Sequence, residues 1–518
     1  MFSFLYNGWA LLAVSVVLFG ALVIHIGYAL KVPALRPVFL WCGWLLTLAT
    51  CVRLLCWQRG VIRTAQPLLN LNQFSYLFYS DLKYPLAFGS LVGGLNEVFP
   101  VEGPPYAAAF GVLLVLGSLT PLCVYLVARE VVEDDRLAVT AGMMVALSPL
   151  HVLFSVHYDF YAVSVFYDAL TQLFLLRYLR ARRLGDLVTF AIASYLFCNS
   201  RVENHTVFYL NTLMVMLAAR KATTVRLAHV AVFIVYVCAH LMVQWDVTHS
   251  SLMGQHVIKN LLFAPLHLPG MLLEPHWNHF IDFRFSPPYL LPLIIVGLYA
   301  AARRPSIVQR YEALVLVCML MIYTDITDST ILWNGRYFLN LLPVAVVVAT
   351  VGLEAVSRRW PFLPRAAPWI VAVSFIPYLR TVAHFDYVTQ DEYRFYRDEV
   401  RPRLPRDVAV WKLRIDTQLF RDEFRDEHLF EMDRHRVVYD PEALASGDML
   451  FLGINCYQTL DRPIPMQPEC AAQLHDPRNV VVLHRRVPAR PYHIRALWYV
   501  TGVWRSFQYV DFYLLRRR

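Results

Sequence analysis

Long apolar runs alternate with short polar segments through the first three quarters of the chain. They fall at about Trp9–Leu30, Val38–Trp57, Tyr106–Ala128, Val139–Val156, Phe160–Leu176, Leu187–Cys198, Val207–Ala219, Val230–Val243, Pro288–Ala302, Ala313–Tyr323, Tyr337–Val351 and Pro368–Leu379. Crossing a bilayer takes roughly 20 residues of helix, so the shortest runs need aromatic neighbours or shielding by the bundle. The pattern predicts an all-α polytopic membrane bundle of about 12 transmembrane helices over residues 1–382. After Leu379 the pattern turns charged and soluble. Gln390–Val400 reads as a helix, and Val408–Leu413, Arg436–Tyr439, Met449–Ile454, Asn479–His484 and Tyr509–Leu515 read as short strands rich in β-branched and aromatic residues. These predict a soluble α/β domain over residues 383–518. No repeat of fixed period and no low-complexity tract interrupts the pattern.

Composition narrows the class. The 518 residues are 58% hydrophobic and only 16% charged, with mean hydropathy +0.45, which excludes an ordinary soluble globule. The formal charge of +9 comes from 47 Lys and Arg against 38 Asp and Glu. It is concentrated in short loops, at Lys31/Arg36, Arg129/Arg136, Arg177/Arg180/Arg182/Arg183, Arg220/Lys221/Arg226, Arg303/Arg304/Arg310 and Arg358/Arg359/Arg365. Basic loops face the cytoplasm, so the N-terminus, the C-terminal domain and the loops Gln58–Pro105, His157–Asp159, Ser200–His205, Trp245–Pro287 and Thr324–Arg336 are expected outside it. The location expected is an inner (plasma) membrane. Nucleic-acid binding is excluded, because no soluble module carries a basic face. No cleavable signal peptide is expected, since the first apolar run lacks a basic leader.

The outward loops hold most of the polar chemistry. Gln58–Pro105 contains two amphipathic stretches, Leu68–Phe78 and Leu86–Phe99, expected to lie in the interface. Trp245–Pro287 is broken by H-L-P-G and E-P-H-W-N-H. Of nine cysteines, seven lie in apolar runs. Cys456 and Cys470 lie in the soluble part, where they are either a disulfide or two thiols. In W-N-G-R-Y-F-L-N-L-L-P (Trp333–Pro343), Arg336 is expected at a membrane surface where a buried helix begins. Its planar, multidentate cation suits phosphate oxygens, and an ionisable residue at that depth is a functional candidate. Snorkelling to headgroups or helix capping is the alternative.

Several segments together resemble a known family. K-Y-P-L (Lys83–Leu86), G-L-N-E-V-F-P (Gly94–Pro100) and Y-L-V-A-R-E (Tyr125–Glu130) resemble the H-P-P-L…R…Y-L-x-G-R pattern of GT-C-fold glycosyltransferases. These are integral membrane enzymes of the protein O-mannosyltransferase and lipid A aminoarabinose transferase superfamily. A-L-S-P-L-H-V-L-F-S-V-H-Y-D (Ala146–Asp159) is similar to that family's L-S-P…D segment, S-R-V-E-N (Ser200–Asn204) to its T-R-x-E-G turn, and G-R-Y-F-L-N-L-L-P (Gly335–Pro343) to its R-Y…P. The similarity runs over roughly Leu40 to Leu353.

The resemblance implies transfer of a sugar from a polyprenyl-phosphate-linked donor to a glycan, lipid or protein acceptor at the outer face, with membrane lipid as the surrounding partner. It implies that Arg336 neutralises the donor phosphate, with Tyr337, Arg201 and Lys83 assisting. Arg201 pairing with Glu203 in its turn is the alternative for that residue. A carboxylate should serve as base, yet where relatives carry D-E-x-x-Y this chain reads N-Q-F-S-Y (Asn72–Tyr76). Asp81 is then the expected base and Asp159, beside His157, a supporting carboxylate. A turn residue for Asp81 and a helix N-cap for Asp159 are the alternatives. The lost acidic pair at Asn72 also fits a non-catalytic protein that binds lipid-linked sugar. A lipid or sugar transporter or flippase would need an internal repeat and charged midplane residues. His276 and His279, spaced to share a helix face in E-P-H-W-N-H-F-I-D, are the only metal candidates. No cofactor is certain, a divalent metal being the disfavoured alternative. The sequon at Asn204 lies too near a helix end to be used.

Overall fold

In lipid every backbone N–H and C=O must find its partner within the segment, so the apolar runs can only be helices. The computed structural model describes residues 36–58, 91, 95, 98, 106–156, 161–198, 200, 204–220, 227–250, 287–303, 306–324, 332–383, 395–404, 410–413, 435–438, 441–453, 456, 466–488 and 509–518. The chain divides into two compact units, residues 1–56 with 73–382 and residues 57–72 with 383–518.

The first unit is helical: α1 (Arg36–Gln58), α2 (Tyr106–Val131), α3 (Asp135–Ala146), α4 (Pro149–Val156), α5 (Tyr161–Ala181), α6 (Leu184–Cys198), α7 (His205–Arg220), α8 (Leu227–Ser250), α9 (Leu290–Arg303), α10 (Ile307–Thr324), α11 (Leu332–Ser357) and α12 (Leu363–Ala383). Leu91, Leu95 and Val98, within the second amphipathic stretch, are also helical. Three described helices are long and apolar enough to cross a membrane: Pro37–Leu55, Gly111–Val131 and Leu339–Ser357. Leu184–Cys198, Val207–Leu217, Leu227–Leu241 and Leu290–Arg303 are apolar but shorter. Among the described residues, length and composition alone therefore do not confirm the expected figure of about twelve spans. The run Val139–Val156 is not one helix. It breaks at Leu147–Ser148, because the ring of Pro149 pushes the preceding residue out of the helical region. The first run, Trp9–Leu30, lies outside the described residues.

Contacts sort the helix ends. At one end Arg129 bonds Asp135 at 2.7 Å, Arg180 bonds Glu130 at 2.9 Å and Arg177 bonds Asp186 at 3.2 Å. At the same end Gln309 Nε2 donates to the Val131 carbonyl at 3.1 Å. These contacts gather the last turns of α2 and α5 with the first turns of α3, α6 and α10. We call this the basic end. Between α9 and α11 the backbones touch. A Cβ at Gly297 would collide with the Val348 carbonyl, and one at Gly352 with the Leu293 carbonyl, so only glycine allows this approach.

The second unit carries a mixed five-stranded sheet ordered β2-β1-β3-β5-β4. Its strands are β1 (Val410–Leu413), β2 (His435–Val438), β3 (Met449–Leu452), β4 (Asn479–Pro488) and β5 (Tyr509–Arg517). β1 runs parallel to β2 and β3, and β5 runs antiparallel to β3 and β4. Every residue of the central strand β3 is buried, which explains its unbroken M-L-F-L sequence. Phe395 and Tyr396, from the expected N-terminal helix, pack on Phe451 and Phe512. All five strands lie where the sequence predicts them. The helix α13 (Pro468–His475) was not predicted, and Cys470 within it is disulfide-bonded to Cys456.

The Asp476 carboxylate knots this unit. It accepts from Arg478 Nη2 and Arg517 Nη1, both at 2.8 Å, while Arg478 also reaches Glu442 at 2.6 Å. Those guanidinium bonds hold the Asp476 and Glu442 carboxyls below the ordinary carboxylate range.

Candidate active site at the end opposite the basic loops

The last turn of α1, the short α4, the start of α5 and the end of α6 lie away from the basic end, and polar side chains collect between them. Arg53, buried completely in α1, bonds the Ala49 carbonyl at 2.9 Å. Its second terminal nitrogen lies 2.7 Å from His151 Nδ1 on α4. A guanidinium only donates, so Nδ1 accepts and the imidazole carries its proton on Nε2. Ser155, one turn on, donates to the His151 carbonyl at 2.5 Å. Gly117 of α2 closes the pocket: a Cβ there would lie 2.6 Å from Ser155 Oγ and 3.1 Å from Arg53 Nε. The result is a buried polar cluster of Arg53, His151 and Ser155 packed between three helices.

Next to α6 a buried amide organises the turn that follows. Asn204 Nδ2 reaches Ser164 Oγ at 2.9 Å, the Phe197 carbonyl at 2.8 Å and Ser200 Oγ at 3.2 Å. Ser200 in turn donates to the Phe197 carbonyl at 2.6 Å. Ser200 and Asn204, which bracket Arg201 and Glu203 in sequence, are therefore fixed to α5 and α6. Asn204 is itself buried, and its amide nitrogen is held by these contacts inside the protein.

Among the expected site residues, Arg336 and Tyr337 fall on α11. That helix begins at Leu332, so Arg336 sits in its second turn and not at its start as expected from the polar run before it. The apolar pair Leu332–Trp333 extends the helix backwards. Asn72, Asp81, Lys83, His157, Asp159, Arg201, Glu203, His276 and His279 lie outside the described residues. Segment 157–160 joins α4 to α5, and segment 201–203 joins Ser200 to Asn204. The described residues hold no group of three or more His, Cys, Asp or Glu able to bind a metal.

The sequence reading missed Arg53 and His151. The available signal was a single arginine in the apolar run Val38–Trp57 and a histidine in an otherwise apolar turn, each a break in a pattern that rarely tolerates one. Deeper polar residues were missed as well. Gln172 Nε2 donates to Asp168 Oδ2 at 2.8 Å, and the Tyr311 hydroxyl donates to Asn211 Oδ1 at 2.6 Å. Glu312, fully buried beside Tyr311, has neither carboxyl oxygen hydrogen-bonded among the described residues.

No protein-family model and no curated protein matches the chain. Solved structures do. ArnT from Cupriavidus metallidurans in the apo state is similar at 14% identity and a TM-score of 0.51, over 91% of this chain and 98% of that one. The same enzyme bound to undecaprenyl phosphate is similar at 12% identity and a TM-score of 0.50, over the same 91% and 98%. An oligosaccharyltransferase of Archaeoglobus fulgidus, tethered with an acceptor peptide, scores 0.43 at 13% identity, and this chain spans 64% of its length. The fold is that of ArnT, a GT-C fold.

Proposed function

We propose that this GT-C chain is a membrane glycosyltransferase that moves a sugar from a polyprenyl-phosphate-linked donor to a glycan, lipid or protein acceptor at the outer face. The observation that carries the reading is the fold shared with ArnT over 91% of this chain and 98% of that one, in a relative also solved with undecaprenyl phosphate bound. The basic loops set the orientation, with the unit from residue 383 outside the cytoplasm.

In this mechanism the acceptor O–H or N–H attacks the anomeric carbon as the carbon–oxygen bond to phosphate breaks. The bonding pair goes to a phosphate oxygen, the acceptor proton goes to the Asp81 carboxylate, and the anomeric centre inverts. Arg336, with Lys83, Arg201 and the Tyr337 hydroxyl, neutralises the charge that builds on the departing phosphate. Asp159 holds the acceptor. The buried guanidinium of Arg53, held by the Ala49 carbonyl and His151, supports the reading as a positioned cation at the end opposite the basic loops.

The test is turnover of a radiolabelled polyprenyl-phosphate sugar by purified full-length protein. Arg336→Ala should lower the rate by about 100-fold or more, as expected on removing a group aimed at developing charge, and Asp81→Asn should do the same with folding retained. Unchanged turnover in both removes these residues from the site. The loss of the acidic pair at Asn72 favours a second reading, a protein that holds lipid-linked sugar without reacting it. Wild-type protein that binds the labelled donor and never releases sugar would establish that one.

A further inference from the structure

A groove of about 350 Å³ opens between α1, α3 and α12, away from the pocket around Arg53. Its wall is built from Trp41, Trp44, Met143 and Trp369, and its only charged lining residues are Arg136 and Arg365. Arg136 stands in the first turn of α3 and Arg365 in the first turn of α12, so both cations lie at the basic end and the apolar wall runs inward from them. Trp369 is 74% exposed, and Trp41 and Trp44 are 37% and 44% exposed. In a soluble protein such rings would be an anomaly. In a bilayer, indoles mark the depth of the headgroups.

Charge decides what fits. Arg129, Arg177 and Arg180, at the same end, are each neutralised by a carboxylate of the protein itself. Arg136 and Arg365 have no acidic partner among the described residues. Among the described residues, the carboxylate that touches Arg136 is that of Asp134, which accepts its backbone N–H at 2.8 Å and not its guanidinium. The groove thus pairs two uncompensated cations with a channel holding the volume of about a dozen waters at ~30 Å³ each. That is room for one hydrocarbon chain and too little for two.

We infer that this groove binds an acidic glycerophospholipid of the leaflet at the basic end, with its phosphate between Arg136 and Arg365 and one acyl chain between the tryptophans. The inference goes beyond the proposed transfer reaction and does not depend on it. The site is at the other end of the bundle, and its occupant is neither donor nor acceptor. Its role is to seal α12 and α3 against α1 from the lipid side.

The test uses purified full-length protein in detergent, titrated with phosphatidylglycerol carrying bromines on one acyl chain while tryptophan emission is followed. Saturable quenching is expected, and Trp369→Phe should remove part of it. Arg136→Gln with Arg365→Gln should raise the half-quenching concentration about 10- to 30-fold, as expected for two cations near a lipid surface, and lysine at both positions should restore most of it. Brominated phosphatidylcholine should quench only as weakly as the double variant does with phosphatidylglycerol. Equal quenching by the two lipids overturns the inference, as does a double variant indistinguishable from wild type. Competition by inorganic phosphate alone, or loss of quenching as the protein dimerises, assigns the face to a free anion or to a second copy and overturns it too.

Discussion

Arg53 and His151 form a contact that only a dry interior makes valuable. A hydrogen bond to a charged donor is worth about 1.5–3 kcal/mol when burial forbids water from replacing the partner. His151→Ala should therefore lower unfolding stability in detergent by about that amount, while His151→Gln, which keeps an acceptor, should lose less. Equal losses would show that the ring's packing, not its nitrogen, matters. At the Asp476 knot stability depends on pH. The folded carboxyls of Asp476 and Glu442 sit below their unfolded values, so their stabilising contribution is complete above the unfolded carboxylate range near pH ~4 and fades as pH falls through the folded values. Asp476→Asn should be less stable at neutral pH and show a flatter loss between pH ~4 and lower values, read by thermal unfolding. A variant whose acid profile parallels wild type would exclude the knot as the source. Residue by residue, sequence flagged Arg336 through its place beside an apolar run. It passed over Arg53 because one charge barely lowers the hydropathy of a long run, and what makes the residue notable is its partner far along the chain.

Helices and strands were legible wherever local pattern decides them. The strands of the second unit were readable because β-branched and aromatic residues cluster in short runs, and M-L-F-L reads as a strand flanked on both sides. Helix α13 was hidden because P-E-C-A-A-Q-L-H has too few apolar positions to declare a face, and the Cys470 it buries is joined to Cys456, 14 residues away. The break before Pro149 was in plain view, but the unbroken apolar character on either side outweighed it. The meeting of α9 and α11 could not be read at all, since Gly297 and Gly352 become partners only in three dimensions. Gly352→Ala should cost about 1–3 kcal/mol by overpacking, whereas Gly43→Ala, with nothing within 4 Å of its added carbon, should be neutral or slightly stabilising. Comparable losses at both would mean that the α9–α11 contact yields easily.

For the molecule as a whole, alternating basic loops give a direction that helix contacts alone cannot. If the second unit lies outside the cytoplasm, an impermeant maleimide should label an exposed Val481→Cys variant in intact cells, and the parent chain should not gain that label. Labelling that waits for membrane rupture would put the unit on the inner side and remove the outward site with it. The architecture was legible because long apolar runs admit few solutions, and the GT-C likeness because short motifs recur in fixed order. The number of crossings was not, since short apolar helices such as α6 and α9 do not declare their depth.

The pairing across α1 and α4 has a consequence for biosynthesis. Arg53 is made 98 residues before His151, which at about 5–20 residues per second is a wait of roughly 5–20 s. During that interval α1 carries a cation one of whose native acceptors has not yet been made, and an arginine in an apolar segment is costly to bury before its contacts form. The α1–α4 contact can therefore close only once α4 is made, so this corner of the bundle is completed late, as a group of helices and not one by one.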